Sequence, residues 1–129
     1  MSVVMFSQKP PSSTGSVAFV GAGPGAADLI TVRGLKILSG AEVVLYDSLV
    51  SADLLEHCPA SAELVFVGKR AGQHSAVQAE INDLLVQHAS RGLRVVRLKG
   101  GDPTLFGRLG EEIDVLRAAG IAYEIVPGV

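Results

Sequence analysis

Short apolar runs and amphipathic stretches alternate along the chain from Ser16 onward. Runs of four residues rich in β-branched and aromatic side chains are typical of buried strands. Five such runs predict strands at 17–20, 43–46, 64–67, 95–98 and 123–126. Helical periodicity fills the gaps between them, so a strand–helix–strand order repeats. This order predicts a three-layer α/β domain with a mostly parallel sheet and crossover helices.

Helix signals support this interpretation. The clearest helix is predicted over 75–90, and Ser75 with Gln78 three residues later forms a capping-box pattern at its start. The buried face of this helix is expected to carry Val77, Ile81, Leu84 and Leu85. A short helix is expected within 51–61, ending before Pro59. Three glycines follow helical stretches and are expected to close them in the left-handed conformation, namely Gly40, Gly92 and Gly120.

Composition restricts the class of protein. The chain has 129 residues, 48% apolar and 19% charged, which fits one domain with a sizeable core. A net charge of −2 gives no reason to expect a nucleic-acid or membrane-surface partner, and no apolar run reaches the ~18 residues of a membrane span. The single cysteine, Cys58, excludes an intrachain disulfide framework and suits a reducing compartment. A cytoplasmic localisation is therefore expected.

The ends of the chain carry further expectations. Residues 1–15 contain Ser, Pro and Gly before any regular pattern and are interpreted as a flexible leader. Residues 16–129 are interpreted as one domain. A Pro-Gly turn at 127–128 normally leads into further structure, so we expect a domain that belongs to a longer protein.

The first glycine loop, 21–26, follows the first predicted strand and reads Gly-Ala-Gly-Pro-Gly-Ala. It matches G-x-G-x-x-A, a dinucleotide-binding pattern, and Asp47 at the end of the next strand lies near where an acid would hold a ribose hydroxyl. A tight turn without a ligand is the other interpretation. Two residues count against a dinucleotide: Pro24 removes an amide donor, and Asp28, a plausible helix N-cap, places a carboxylate near the phosphate position.

A second glycine turn follows the strand at 95–98, with the sequence Lys-Gly-Gly-Asp-Pro at 99–103. Adjacent glycines let a ligand approach the main chain, although an ordinary turn in which Asp102 caps a helix is also possible. The helix after this turn is expected to bury Leu109, Ile113 and Leu116. Because the carboxyl ends of parallel strands meet at one edge of a sheet, both glycine turns are predicted to face a shared cleft.

These residues resemble the tetrapyrrole methylase family. The resemblance covers residues 16–129, and the motifs occur in the family's order at 21–31, 44–47, 67–70 with His74, 98–103, 106–108 and 111–112. The Lys-Gly-Gly-Asp-Pro block is specific, whereas the first glycine loop is not. The block 68–72 with His74 is most similar to members that methylate uroporphyrinogen III. Departures are the Ala-Ala pair at 26–27, Thr104 and Leu109, which bear on substrate selectivity.

The resemblance implies an activity and a set of site residues. The activity is S-adenosylmethionine-dependent C-methylation of uroporphyrinogen III to precorrin-2, on the route to sirohaem and cobalamin, without a metal. Asp47 matches the family's proton acceptor and Lys69 its proposed proton donor. The alternatives are a solvated turn aspartate for Asp47 and, for Lys69, a simple exposed lysine or a partner of a substrate carboxylate. The positions that match cofactor-contacting residues are Pro24, Gly100, Gly101, Asp102 and Leu105.

Other polar residues are less informative. Arg70 and Arg108 are candidates for binding substrate carboxylates or for structural ion pairs. His74 is interpreted as a helix-start residue. His57 and His88 are expected on helix surfaces and give, with Cys58, no convincing metal set.

The resemblance also implies a second domain, a homodimer of the full-length enzyme, and a fragment that does not catalyse by itself. The alternatives are another precorrin methylase or diphthine synthase, a nicotinamide-dependent oxidoreductase domain, and a non-catalytic interaction domain.

Overall fold

The computed structural model describes residues 15–23, 30–47, 49–67, 78–100 and 109–128. Five strands and four helices alternate in these ranges, which confirms the predicted α/β class. In chain order they are β1 (Ser16–Gly21), α1 (Val32–Ser39), β2 (Val43–Tyr46), α2 (Ala52–Leu55), β3 (Glu63–Phe66), α3 (Gln78–Ser90), β4 (Arg94–Lys99), α4 (Leu109–Ala118) and β5 (Ala122–Val126). Every predicted strand is present, and most strand ends differ from the predicted ends by one residue.

The strands form one sheet in the order β3-β2-β4-β1-β5. All four neighbouring pairs among the described strands are parallel, which agrees with the predicted mostly parallel sheet. The chain moves from β1 towards β2 and β3 through α1 and α2, and it moves back to β4 and on to β5 through α3 and α4. The chain thus proceeds towards one side of the sheet after β1 and towards the other side after β4, and β1 and β4 are neighbours.

Two apolar cores lie on opposite faces of the sheet because strand side chains alternate between faces. The helices α3 and α4 cover one face, whose core contains Val17, Phe19, Val43, Leu45, Ile81, Leu85, Val95, Leu109 and Leu116. The helices α1 and α2 cover the other face, whose core contains Ala18, Val20, Leu38, Val44, Leu54, Val96, Leu98 and Val126. The sheet is the middle of three layers, as the strand–helix alternation predicted.

Polar side chains begin two of the helices. The hydroxyl of Thr31 accepts a hydrogen bond from the Gly34 amide at 3.0 Å, which makes Thr31 the N-cap of α1. The prediction of Asp28 as the cap is therefore wrong for α1. Ser51 caps the short helix α2 in the same way, accepting from the Asp53 amide at 3.2 Å. That helix ends before Pro59, as predicted.

The glycines after the helices behave in two ways. Gly92 and Gly120 have φ angles of 85° and 72°, which confirms the predicted left-handed ends. Gly40 has φ −106° and donates its amide to the carbonyls of Ile37 and Leu38, so the left-handed prediction is wrong there. A tight last turn satisfies these carbonyls without a left-handed residue.

The helix faces follow the predicted stripes with two exceptions. Ile81 and Leu85 are buried and Leu84 packs beside them, while Ser75 and Val77 lie outside the described residues. His88 was predicted on the surface and is buried, because it lies three and four residues after Leu85 and Leu84 on the same face. On α4, Leu109 and Leu116 are buried and Ile113 packs against them, but the polar Glu112 beside them is also fully buried.

No helix within the described ranges is long and apolar enough to cross a membrane.

Leu85 tests the contribution of the core under α3 and α4. Its side chain is fully buried, so Leu85→Ala is expected to lower the free energy of unfolding by about 2–5 kcal/mol through lost burial and a residual cavity. Urea denaturation followed by circular dichroism measures the change. The matched control is Gln87→Ala on the exposed side of the same helix, expected to change stability by less than about 0.5 kcal/mol. Equal effects of the two variants would contradict the packing described here.

Candidate functional site at the carboxyl edge of the sheet

The central strands β1 and β4 end side by side. Gly21 pairs with Lys99 in the parallel register, and the amide of Ala22 donates to the carbonyl of Lys99 at 2.7 Å. The two glycine turns therefore leave the same edge of the sheet from neighbouring strands, as predicted. Gly23, the last described residue of the first turn, has φ 82°. Whether the turns enclose a common cleft stays a prediction, since residues 24–29 and 101–108 lie outside the described part.

The position of this edge in the topology is informative. The connection from β1 passes through α1 on one face, whereas the connection from β4 passes through α4 on the other face. Chains that leave two neighbouring strands towards opposite faces open a crevice between them, and ligands of open α/β sheets bind at this point. Both glycine turns start at this switch point.

Asp47 lies at the same edge, directly after β2. Its side chain is half-buried, and its Oδ1 accepts a hydrogen bond from the amide of Leu49 at 3.0 Å. Its carbonyl accepts from the amide of Val50 at 3.3 Å. Tyr46, the last residue of β2, pairs with Leu98, so Asp47 leaves the strand at the level of Lys99. Asp47 is thus held in a tight turn one strand away from the second glycine turn.

Gly100, the first glycine of the second turn, packs against this Asp47 turn. A Cβ atom at Gly100 would overlap the Cβ of Leu49 and lie 3.3 Å from its Cα. The absence of a side chain at Gly100 therefore lets the main chain at Leu49 approach β4 closely. The sequence analysis attributed the close approach at this glycine to a ligand. In the structure, Leu49 makes that approach.

A buried charged cluster, which sequence reasoning missed, lies beneath this edge. We call Arg97, Lys99 and Glu112 the ion cluster. The carboxylate of Glu112 accepts from Arg97 Nε at 3.3 Å and lies 3.7 Å from Lys99 Nζ. The side chain of Gln78 donates to the same carboxylate at 3.0 Å and to Asn82 at 2.9 Å.

The sequence did carry a signal for the ion cluster. Two cations, Arg97 and Lys99, occur at alternate positions of a strand that is central in a parallel sheet, where both faces are covered. Cations are almost never fully buried unless they are paired. Glu112 lies between Leu109 and Leu116 in the apolar stripe of α4 and supplies the pairing carboxylate. Only the packing of α4 on β4 identifies these residues as partners.

The environment of Lys99 changes its proton affinity. Burial, and secondly the charge of Arg97, lower the pKa of the Lys99 ammonium below its usual value. The carboxylates of Glu112 and Asp47 act in the opposite direction. The ammonium of Lys99 is therefore within the electrostatic reach of Asp47, in agreement with the strand register.

Several residues singled out in the sequence lie outside the described part of the structure, namely Pro24, Lys69, Arg70, His74, Gly101, Asp102, Leu105 and Arg108. Their roles stay predictions. The strand β3, which precedes Lys69, ends at the same edge as β2, since the amide of Val67 donates to the carbonyl of Tyr46 at 2.8 Å.

The described His and Cys side chains differ in exposure. His57 is exposed, Cys58 is half-buried, and burial raises the pKa of the Cys58 thiol. Within the described ranges, no group of three or more His, Cys, Asp or Glu side chains has a geometry that would hold a metal ion.

The described strands form a parallel sheet with helices on both faces, and two glycine turns start at its switch point. These features define the chain as a doubly wound α/β domain, a class whose ligands bind at that point. Residues 16–129 match the family model of the Tetrapyrrole (Corrin/Porphyrin) Methylases. This match covers most of the chain, and the chain belongs to that family.

Individual relatives support the same family. The chain is 57% identical over 122 residues to siroheme synthase 1 of Pectobacterium atrosepticum, covering 95% of this chain and 25% of that protein. It is 55% identical over 116 residues to the uroporphyrinogen-III C-methyltransferase of Methanocaldococcus jannaschii, covering 90% and 48% of the two chains. The chain thus spans between a quarter and a half of these relatives.

A solved structure agrees with the fold. The uroporphyrin-III C-methyltransferase of Thermus thermophilus in complex with S-adenosylhomocysteine superposes with a TM-score of 0.77 at 48% sequence identity. The superposition covers 89% of this chain and 48% of that one.

Gly100 tests the packing at the edge. Gly100→Ala is expected to destabilise the protein by about 1–3 kcal/mol, because the new methyl group overlaps the Cβ of Leu49. The matched control is Gly110→Ala in α4, where nothing lies within 4 Å of the added atom. This control is expected to stabilise by about 0.5–1 kcal/mol through the helix preference of alanine. Urea denaturation compares the two, and a neutral Gly100→Ala would show that Leu49 does not pack there.

Proposed function

We propose that the full-length protein transfers methyl groups from S-adenosylmethionine to two ring carbons of uroporphyrinogen III, giving precorrin-2. Membership of the tetrapyrrole methylases supports the reaction class. The similarity to a uroporphyrinogen-III C-methyltransferase and to siroheme synthases supports the substrate. The proposal extends to the whole protein, because the chain spans a quarter to a half of those relatives.

The observation that carries the proposal is the meeting of three features at one edge of the sheet. The strands β1 and β4 end side by side, each followed by a glycine turn, and Asp47 follows β2 at the same level. A ligand at the switch point between β1 and β4 would lie within reach of the Asp47 turn. This arrangement offers main-chain groups for binding and one carboxylate for chemistry.

The edge fits a methyl donor of this kind. S-adenosylmethionine supplies an electrophilic methyl group on a sulfonium, together with polar adenosine and amino-acid groups that main-chain donors and acceptors recognise. Gly100 would contribute through its peptide groups, since its Cα side faces Leu49. Pro24, Gly101, Asp102 and Leu105 complete the proposed cofactor-binding set.

Proton transfer accompanies methylation. When a ring carbon of the tetrapyrrole gains a methyl group, the macrocycle must lose a proton elsewhere. Asp47 is proposed as the proton acceptor, and its half-buried carboxylate at the edge supports this role, since a carboxylate can act as a general base. Lys69 is proposed as the proton donor. Holding the carbon in line with the methyl group supplies much of the rate, so the rigidity of this edge contributes to catalysis.

The other candidate functions have less support. A nicotinamide-dependent oxidoreductase would use the first glycine loop alone, and the family match over residues 16–129 favours methyl transfer instead. Another precorrin methylase shares the domain plan, and the block at 68–72 favours uroporphyrinogen III.

The proposed enzyme is a cytoplasmic homodimer, and we expect residues 1–129 alone not to catalyse.

Asp47→Asn in the full-length protein tests the reaction and the base together. Incubation with methyl-labelled S-adenosylmethionine and uroporphyrinogen III is expected to label the tetrapyrrole. The variant is expected to lower kcat by about 10²–10⁴-fold, the usual contribution of a general base. Its affinity for S-adenosylhomocysteine, measured by calorimetry, is expected to stay unchanged.

The control is Asp83→Asn on the exposed side of α3, which should turn over like the unmodified protein. No label in the tetrapyrrole with the unmodified protein would refute the reaction. Normal turnover of Asp47→Asn would remove Asp47 from the mechanism while leaving the reaction in place. Calorimetry with NAD(P) provides the comparison that would reveal a dinucleotide site.

A further inference from the structure

Glu112 occupies a position where the pattern of α4 predicts an apolar residue. It lies between the buried residues Leu109 and Leu116, and its own side chain is completely buried. Taking a carboxylate out of water is costly, and replacing buried ions by apolar side chains is often neutral or stabilising. The packing of α4 on the sheet therefore does not by itself require a charge here. A carboxylate differs from an apolar side chain in that its contacts have a fixed direction.

The contacts of Glu112 connect three elements. Its Oε1 accepts a hydrogen bond from Arg97 Nε at 3.3 Å, and its Oε2 lies 3.7 Å from Lys99 Nζ. Gln78, the first residue of α3, donates to the same Oε2 at 3.0 Å. Arg97 and Lys99 occupy alternate positions of β4, so their side chains lie on the same face of the sheet. One carboxylate of α4 thus contacts both the final residues of β4 and the beginning of α3.

These contacts act on the strand end from which the second glycine turn starts. Lys99 is the last residue of β4, and Gly100 follows it directly. The carbonyl of Lys99 accepts a hydrogen bond from the amide of Ala22 at 2.7 Å. The peptide that joins Lys99 to Gly100 therefore has two anchors, the ion pair of the Lys99 side chain with Glu112 and the main-chain bond to the first glycine turn. The orientation of this peptide depends on where α4 places its carboxylate.

We propose that Glu112 is a positioning residue for cofactor binding. Through Arg97 and Lys99, its carboxylate fixes the end of β4, so that the Gly100 peptide meets S-adenosylmethionine in one orientation. This inference rests on the proposed function, in which Gly100 contributes peptide groups to the cofactor. Glu112 does not itself contact the cofactor or the substrate in this scheme. Its loss is expected to weaken cofactor binding and to leave the chemical step at saturating cofactor unchanged.

The test is the affinity of the full-length protein for S-adenosylhomocysteine, measured by calorimetry. Glu112→Gln keeps the shape of the side chain and removes its charge, so the ion pairs with Arg97 and Lys99 are lost. A displaced Gly100 peptide loses about one hydrogen bond to the cofactor, so Kd is expected to rise about three- to tenfold. The KM for S-adenosylmethionine is expected to rise by a similar factor, while kcat changes less than about twofold.

Two control variants on α4 separate positioning from stability. Asp114→Asn removes an exposed carboxylate and should leave Kd unchanged. Leu116→Ala removes a fully buried side chain one turn after Glu112, so it destabilises the fold and leaves the carboxylate in place. It too should leave Kd unchanged. An equal rise of Kd in Leu116→Ala and Glu112→Gln would overturn the inference, because the loss of stability would then explain both. An unchanged Kd in Glu112→Gln would also overturn it.

A double variant decides the question if Glu112→Gln does not fold. Arg97→Met combined with Glu112→Leu exchanges the buried ion pair for apolar side chains, an exchange that folded proteins often tolerate. Apolar side chains pack without the fixed direction of an ion pair, so this variant is expected to fold and still to show the higher Kd. A normal Kd in the folded double variant would refute the positioning role.

A further readout needs neither turnover nor ligand. The amide proton of Ala22 reports its hydrogen bond to the Lys99 carbonyl, so its NMR chemical shift is expected to move in Glu112→Gln and to stay in Asp114→Asn. An unmoved Ala22 amide in Glu112→Gln would contradict the inference.

Failure of the proposed function has a different outcome. If the unmodified protein binds S-adenosylhomocysteine but transfers no methyl group to uroporphyrinogen III, the proposed function is wrong. The comparison of Kd values among the variants then still decides the role of Glu112.

Discussion

The parallel pairing of β1 with β4 is the constraint on which the rest of the structure depends. It places Gly21 beside Lys99 and ties the two strand ends together through the amide of Ala22. Because the connections from these strands run to opposite faces, the topology predicts a crevice at their carboxyl ends. The order of the strands thus decides where the domain presents its glycine turns.

Two kinds of contact hold the carboxyl end of β4: the ion pairs of the ion cluster and the packing of Gly100 against Leu49. The ion cluster joins β4 to α4 through Glu112, while α3 contributes Gln78 to the same carboxylate. Above it, the turn after β2 packs against Gly100 closely enough to exclude a side chain. Buried charge demands good geometry because a misaligned partner leaves an uncompensated ion. Because misaligned buried ions would cost free energy, the ion cluster restricts how α4 packs on β4.

The amino-acid sequence by itself determined the class of fold and the location of the candidate site. Strand runs such as 17–20 and 95–98 are short, mostly apolar and bounded by turn residues. They could be recognised from the sequence because strands covered on both faces need apolar side chains on both faces. The glycine turns after them, and Asp47 after β2, were assigned to one edge by the rule that parallel strands end together. Their order and the Lys-Gly-Gly-Asp-Pro block at 99–103 also identified the family.

Tertiary structure decided what depends on partners distant in the sequence. Arg97 and Glu112 are 15 residues apart and meet only because α4 packs on β4, and local patterns do not encode such pairs. The burial of His88 and the ordinary backbone at Gly40 were likewise set by packing and by local hydrogen bonds, against expectations from residue type. The space at Gly100 is filled by Leu49, a residue from another turn. Periodicity reports which face a residue occupies, whereas its neighbour on that face is fixed only when the layers assemble.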